Sequence, residues 1–186
     1  MQPLPQRKSP RLQGYDYRQV GAYFVTICTV KRLALFGGIK DEMMNLSPLG
    51  QIAAEELASI PACWQSVYLD AFVVMPNHVH AIIVLDVPKV PDAKNGVPTS
   101  RPVGTAFMPS VAPSHTTPSL GTVVGAYKAG VTRRARSANL IDDDQPIWQV
   151  RYHDHIIRDE TSLNRIRVYV EQNPVLWAED TFYSVG

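Results

Sequence analysis

Two apolar runs, 67–75 (VYLDAFVVM) and 78–85 (HVHAIIVL), are separated only by Pro76 and Asn77. Both are rich in β-branched and aromatic residues, and a two-residue break of this composition suits only a tight turn. The pair predicts an antiparallel hairpin. Each run is apolar at odd and even positions alike, which predicts central strands covered on both faces.

Other elements fall into place around that hairpin. Residues 23–30 (YFVTICTV) read as a strand. Leu49, Ile52, Ala53, Leu57 and Ile60 recur at helical spacing, and Ser47-Pro48 supplies a capping serine and a first-turn proline. A second helix spans Ser119 to Arg136, with Leu120, Val123, Val124, Tyr127 and Val131 on one stripe. Gly121 and Gly125 on it suit either close approach to a neighbouring backbone or packing on a sheet. Ile147 to Ile157 reads as a fourth strand or an extended segment. Thr161 to Gln172 reads as a last helix stopped by Pro174. The first six elements match the β-α-β-β-α-β order of a ferredoxin-like α+β sheet, and the seventh is an additional C-terminal helix. No internal repeat is visible.

The 186 residues suffice for one domain, 1–186, with a core of its own. Two stretches stand apart from it. Residues 1–18 form a basic arm with Arg7, Lys8 and Arg11. Residues 86–118 hold seven of the fifteen prolines and no periodicity, which marks a flexible insertion. The net charge of +1 does not announce a nucleic-acid binder, although Lys128, Arg133, Arg134 and Arg136 crowd one helix. Those four read either as a phosphate-binding face, helped by the arm, or as an ordinary solvated one. Cys28 and Cys63 form no CxxC pair and read as buried, reduced thiols. No signal peptide and no membrane-length apolar run is present, so a cytoplasmic protein is expected.

The strongest local signal is His78-Val79-His80. Alternate residues of a strand face the same way, so both imidazoles project from one face with Cα atoms roughly 7 Å apart. Two rings at that separation can converge on one metal ion while Val79 anchors the strand in the core. Two polar residues at the mouth of a hairpin are the plainer alternative. His153-Asp154-His155 repeats the spacing, but its charged middle residue suits a surface strand. On the last helix, Tyr169 and Asn173 are four residues apart and share a face at the edge of the apolar stripe. Asn173 precedes Pro174, at a frayed end where its amide oxygen can turn outward as a metal ligand. A boundary tyrosine with an asparagine C-cap fits equally well. Tyr152 is the other tyrosine worth weighing as a nucleophile, whereas Tyr127 reads as core.

Taken in order, these stretches resemble one family. They are Gly14-Tyr15-Asp16-Tyr17 with 22–26 (AYFVT), 75–80 (MPNHVH), 127–133 (YKAGVTR), Ile147-Trp148-Gln149 leading to 155–158 (HIIR), and Tyr169 with Asn173-Pro174. The chain resembles the REP-associated tyrosine transposases, a branch of the single-tyrosine HUH transposases, over nearly its whole length apart from the proline-rich insertion. The resemblance implies a ferredoxin-like HUH palm with the histidines on a central strand. It implies His78, His80 and Asn173 as ligands of a divalent metal, Mg2+ or Mn2+, and Tyr169 as the nucleophile. Manganese is the better chemical match to imidazole.

The implied substrate is single-stranded or hairpin DNA, cut and rejoined through a 5′-phosphotyrosine. A phenol, with a reference pKa of about 10, leaves far more readily than an alkoxide, so a 3′-hydroxyl can resolve the ester without ATP. A non-catalytic hairpin-binding module of the same fold and a metal-dependent phosphoesterase using water are the rival readings. Monomer and homodimer are both compatible with the sequence.

Overall fold

The computed structural model describes residues 14–87 and 117–179. The strands are β1 (Gly21–Cys28), β2 (Gly37–Lys40), β3 (Met43–Leu46), β4 (Val67–Met75), β5 (His78–Leu85) and β6 (His153–Ile157). The helices are α1 (Pro48–Ala58), the single turn α2 (Ile60–Cys63), α3 (Leu120–Ser137) and α4 (Glu160–Gln172). Four strands form one antiparallel sheet in the order β4-β5-β1-β6. The first and third strands of the β-α-β-β-α-β series are therefore central and the second and fourth are edges, which is the ferredoxin-like arrangement the element order predicts.

The hairpin of β4 and β5 turns at Pro76-Asn77, with Met75 opposite His78. The expectation that both its strands are central needs correction, because β4 is an edge strand. It is apolar on both sides because α1 and α2 pack near one side and α4 on the other. Its irregular register between Leu69 and Phe72 spoils the flat edge that would otherwise invite pairing with another chain.

α1 and α3 lie together against one sheet face. Ser47 and Ser119 cap them, accepting from the backbone N–H groups of Gly50 and Thr122. Tyr23, Val25 and Ile27 of β1 and Val79, Ala81, Ile83 and Leu85 of β5 meet Ala53, Leu57, Leu120, Val124, Tyr127 and Val131 in the core. Each fully buried Val, Leu or Ile contributes roughly 1.5–3 kcal/mol. Tyr127 satisfies its buried hydroxyl by donating to the Ala53 carbonyl, 3.2 Å away. At Gly130 an added Cβ would meet the Glu56 carboxylate, so the glycine leaves that side chain its place between α1 and α3. Gly121 and Gly125 suggested close backbone approach in the sequence, but a Cβ at Gly125 meets nothing within 4 Å.

The β2–β3 hairpin carries no sequence signal of the usual kind. Its turn is Asp41-Glu42, both with positive φ (52° and 60°), where asparagine and glycine are the common occupants. Residues 147–152 are not strand. Trp148 makes one isolated bridge to Thr29, and regular pairing starts at His153. Both cysteines are free thiols, but only Cys28 is buried and Cys63 is partly exposed. Arg7, Lys8 and Arg11 of the arm, and the insertion from 88 to 116, lie outside the described residues. Among the described residues, no helix is long and apolar enough to cross a membrane.

Candidate active site

The sheet face opposite the main core carries Phe24 and Thr26 from β1 and His78 and His80 from β5. Strand alternation puts them there, since Tyr23, Val25 and Val79 are committed to the core. Both histidines are buried, at 0% and 1% exposure, with ring centroids 4.4 Å apart.

Each ring is oriented by a neighbour. The Asn77 side chain donates its N–H to the Arg32 carbonyl, which turns its Oδ1 toward Nδ1 of His78, 2.9 Å away. An oxygen acceptor there keeps the proton on Nδ1 and leaves the lone pair on Nε2. Nδ1 of His80 lies 2.9 Å from the Thr26 hydroxyl, and its Nε2 lies 3.2 Å from the Tyr169 hydroxyl. A neutral imidazole, with one donor and one acceptor nitrogen, satisfies both hydroxyls. Phe24 stacks on His80 at 5.1 Å and meets Tyr169 edge-on at 6.0 Å.

α4 delivers Tyr169. Asp159 caps the helix by accepting from the Ser162 N–H, and Val170 is its one fully buried residue among those described. Tyr169, 38% exposed, keeps its ring against the site and its rim open to solvent. Asn173 follows one turn later. The outward-turned amide expected of a frayed end is not found, because Asn173 is 1% exposed. Its backbone stays helical (φ −56°, ψ −39°), and Leu176 bonds back to the Gln172 carbonyl at 3.1 Å. The following turn brings Trp177 to within 6.0 Å of the His78 ring.

The donor set suits a divalent ion. It offers two buried imidazoles, each held through Nδ1 by an oxygen group. Among the described residues no group of three or more His, Cys, Asp or Glu side chains converges on a point.

Burial, and then the proximity of His78, holds the His80 pKa well below its ordinary value of 6.5. Below that value the unfolded chain binds more protons than the folded one. The stability of the metal-free protein should therefore be full above about pH 6.5 and fall as the pH drops, by up to about 1.4 kcal/mol per pH unit from this group. Urea midpoints of chelator-treated protein from pH 7 downward measure the effect, and His80→Gln should flatten the slope.

The other candidates separate clearly. His153 and His155 are exposed on edge strand β6, in register with Thr26 and Phe24. Tyr152 is buried in the main core. Lys128 donates to the carbonyls of Gln149 (2.8 Å) and Val150 (3.4 Å), and burial lowers its pKa. Arg134 is engaged by Glu55 and Glu56. Arg133 and Arg136 are exposed. Sequence reasoning missed Thr26, Asn77 and Phe24. Asn77 adjoins the histidines and hinted at its role, but Thr26 lies 54 residues from His80 and only strand pairing joins them.

No family model matches this chain. An uncharacterised protein of Haemophilus influenzae is 38% identical over 177 residues, covering 95% of this chain and 93% of its own length. Among solved structures, a REP-associated tyrosine transposase bound to a REP hairpin superposes with a TM-score of 0.50 at 17% identity, covering 89% of this chain and 72% of that one. The chain therefore belongs to the same family as the Haemophilus influenzae protein, and its fold is that of a REP-associated tyrosine transposase.

Proposed function

We propose that this chain is a single-tyrosine DNA transposase that cuts and rejoins hairpin-forming single strands through a covalent phosphotyrosine. One observation carries the reading: the Tyr169 hydroxyl rests 3.2 Å from Nε2 of a buried histidine that has a second histidine beside it. A tyrosine packed for stability alone needs no such pair. The solved structural neighbour is bound to a REP hairpin, and hairpin DNA is the substrate class proposed here.

A divalent ion bound by His78, His80 and Asn173 would supply Lewis-acid polarisation of the scissile phosphate. Asn77 and Thr26 set the ring orientations, and burial disfavours the charged form of His80. Because the Tyr169 oxygen sits beside Nε2 of His80, a phosphate held there is within its reach. The Tyr169 oxygen gives up its proton and attacks phosphorus, the bond from phosphorus to the 3′-oxygen breaks, and a proton equivalent to the one released ends on the departing 3′-hydroxyl. A second 3′-hydroxyl reverses the exchange.

The test is incubation of the full-length protein with hairpin DNA and manganese, followed by a denaturing gel. A protein–DNA adduct that maps by proteolysis and mass spectrometry to the Tyr169 peptide supports the reading. Hairpin binding with no cleavage across several sequences would leave a binding module instead.

The reach of Tyr169 depends on how α4 is seated. Arg167 grips Asp70 with two parallel bonds, Nη2 to Oδ1 at 2.7 Å and Nε to Oδ2 at 2.8 Å. Its Nη1 also donates to Asn164 at 2.8 Å. Asp70 sits at the irregularity of β4, so the pair pins the nucleophile's helix to the edge strand. Asp70→Ala should slow adduct formation by roughly 10- to 100-fold in single-turnover assays, because small misplacements of a reacting group are costly. Hairpin affinity should be unchanged, and exchanging the two residues should restore part of the rate.

A further inference from the structure

The outer side of α3 carries a shallow cavity of about 590 Å³. It takes no part in the chemistry proposed above, because α3 packs on the sheet face opposite His78 and His80. Gly125, Ala129 and Trp148 line it together with Lys128, Thr132, Arg133 and Arg136, and among the described residues no carboxylate does. The indole of Trp148 is fixed from behind. Its Nε1 donates to the Lys128 carbonyl at 3.2 Å, and its ring packs on Phe36 and Tyr127.

Two observations point to a ligand. The first is charge. Arg133 makes no ion pair among the described residues, and Arg136 reaches only Asp143, at 4.0 Å and fully exposed. Their neighbours Lys128 and Arg134 are occupied by carbonyls and glutamates. The second is Gly125 itself. Glycine is the poorest residue for a helix interior after proline, and Gly130 on the same helix is explained by Glu56 against it. Gly125 has no such neighbour, and its missing side chain leaves open the space that the cavity occupies.

We infer that this cavity holds one unpaired nucleotide of a DNA strand, with its base against Gly125, Ala129 and Trp148 and its phosphate at Arg133 and Arg136. The inference rests on the DNA reading above. An indole among small residues offers a stacking surface to any base, and exposed guanidiniums accept the backbone, so binding is indifferent to sequence. The cavity lies on the far side of the sheet from Tyr169, so a strand engaging both would wrap round the molecule.

The test compares a fluorescent oligothymidylate with a blunt duplex by anisotropy, using the wild type, Gly125→Gln and Arg133→Gln/Arg136→Gln. Gly125→Gln should melt about 1–2 °C higher, since it replaces a poor helix residue where a Cβ meets open space. It should also bind oligothymidylate roughly tenfold more weakly and leave duplex affinity unchanged. The double arginine variant should lose oligothymidylate affinity and lower its log–log salt slope by about 1.4, as expected for two lost phosphate contacts. Oligothymidylate affinity that survives Gly125→Gln, with its higher melting temperature, would overturn the cavity proposal alone. Failure of the wild type to bind oligothymidylate would overturn the cavity proposal, and failure to bind a DNA hairpin as well would overturn the DNA reading with it.

Discussion

Tyr169→Phe should bind a DNA hairpin as tightly as the wild type and form no covalent adduct. The substitution removes one oxygen and keeps the ring, whose contacts with Phe24 at 6.0 Å and His80 at 5.2 Å do not involve the hydroxyl. The lost hydrogen bond to His80 costs about 0.5–1.5 kcal/mol, so the protein stays folded. Tyr152 and Tyr127 are both buried in the main core on the opposite face. Cleavage is read on a denaturing gel and affinity by anisotropy, with melting temperature as the control. Cleavage that continued in Tyr169→Phe with a free 5′-phosphate would mean that water is the nucleophile, and the transposase reading would give way to a phosphoesterase.

The second large effect concerns the imidazoles. His78→Ala and His80→Ala should each lower the adduct-forming rate by roughly 10³-fold or more, the equivalent of about 4 kcal/mol of lost charge stabilisation at phosphorus. The double variant should be scarcely worse than either single one, because ligands of one ion act as a unit. Truncating a buried ring also leaves a void and an unpaired neighbour, Thr26 for His80 and Asn77 for His78. Melting temperatures should therefore fall as well, and the rate loss must be measured below the new transition. Manganese titration by calorimetry separates the two effects. The wild type should take up one ion and each variant should not. Unchanged manganese uptake by both alanine variants would remove the histidines from the site.

The parts of this molecule that depend on local periodicity were legible in the sequence. Alternation along His78-Val79-His80 gave the shared face, and Ser47 and Ser119 marked their helix starts. What was hidden depends on distant partners. Nothing near Arg134 reveals that Glu55 and Glu56 occupy it from α1, 79 and 78 residues away. The edge position of β4 escaped because helices near both sides make an edge strand as apolar as a central one. The β2–β3 hairpin escaped because Asp41 and Glu42 adopt left-handed backbone without the glycine or asparagine that advertises it. Asn173 was placed by its proline neighbour at a frayed end, but the next turn continues and draws it inside.

The chain leaves β5 and returns to α3 at nearly one point. The Thr117 hydroxyl lies 3.5 Å from the Asp86 carbonyl. Asp86 is itself anchored to the Ser66 carbonyl at 2.8 Å, and Leu120 to that of Tyr17 at 3.0 Å. Two ends held so close make the fold a socket. The cost of closing the intervening sequence grows by only about 0.6 kcal/mol for each doubling of its length. A guest domain with adjacent termini could be grafted between Val87 and Thr117 without moving a histidine or the tyrosine. A core of this kind can gain or shed an accessory module at that socket while the histidines and the tyrosine stay in register.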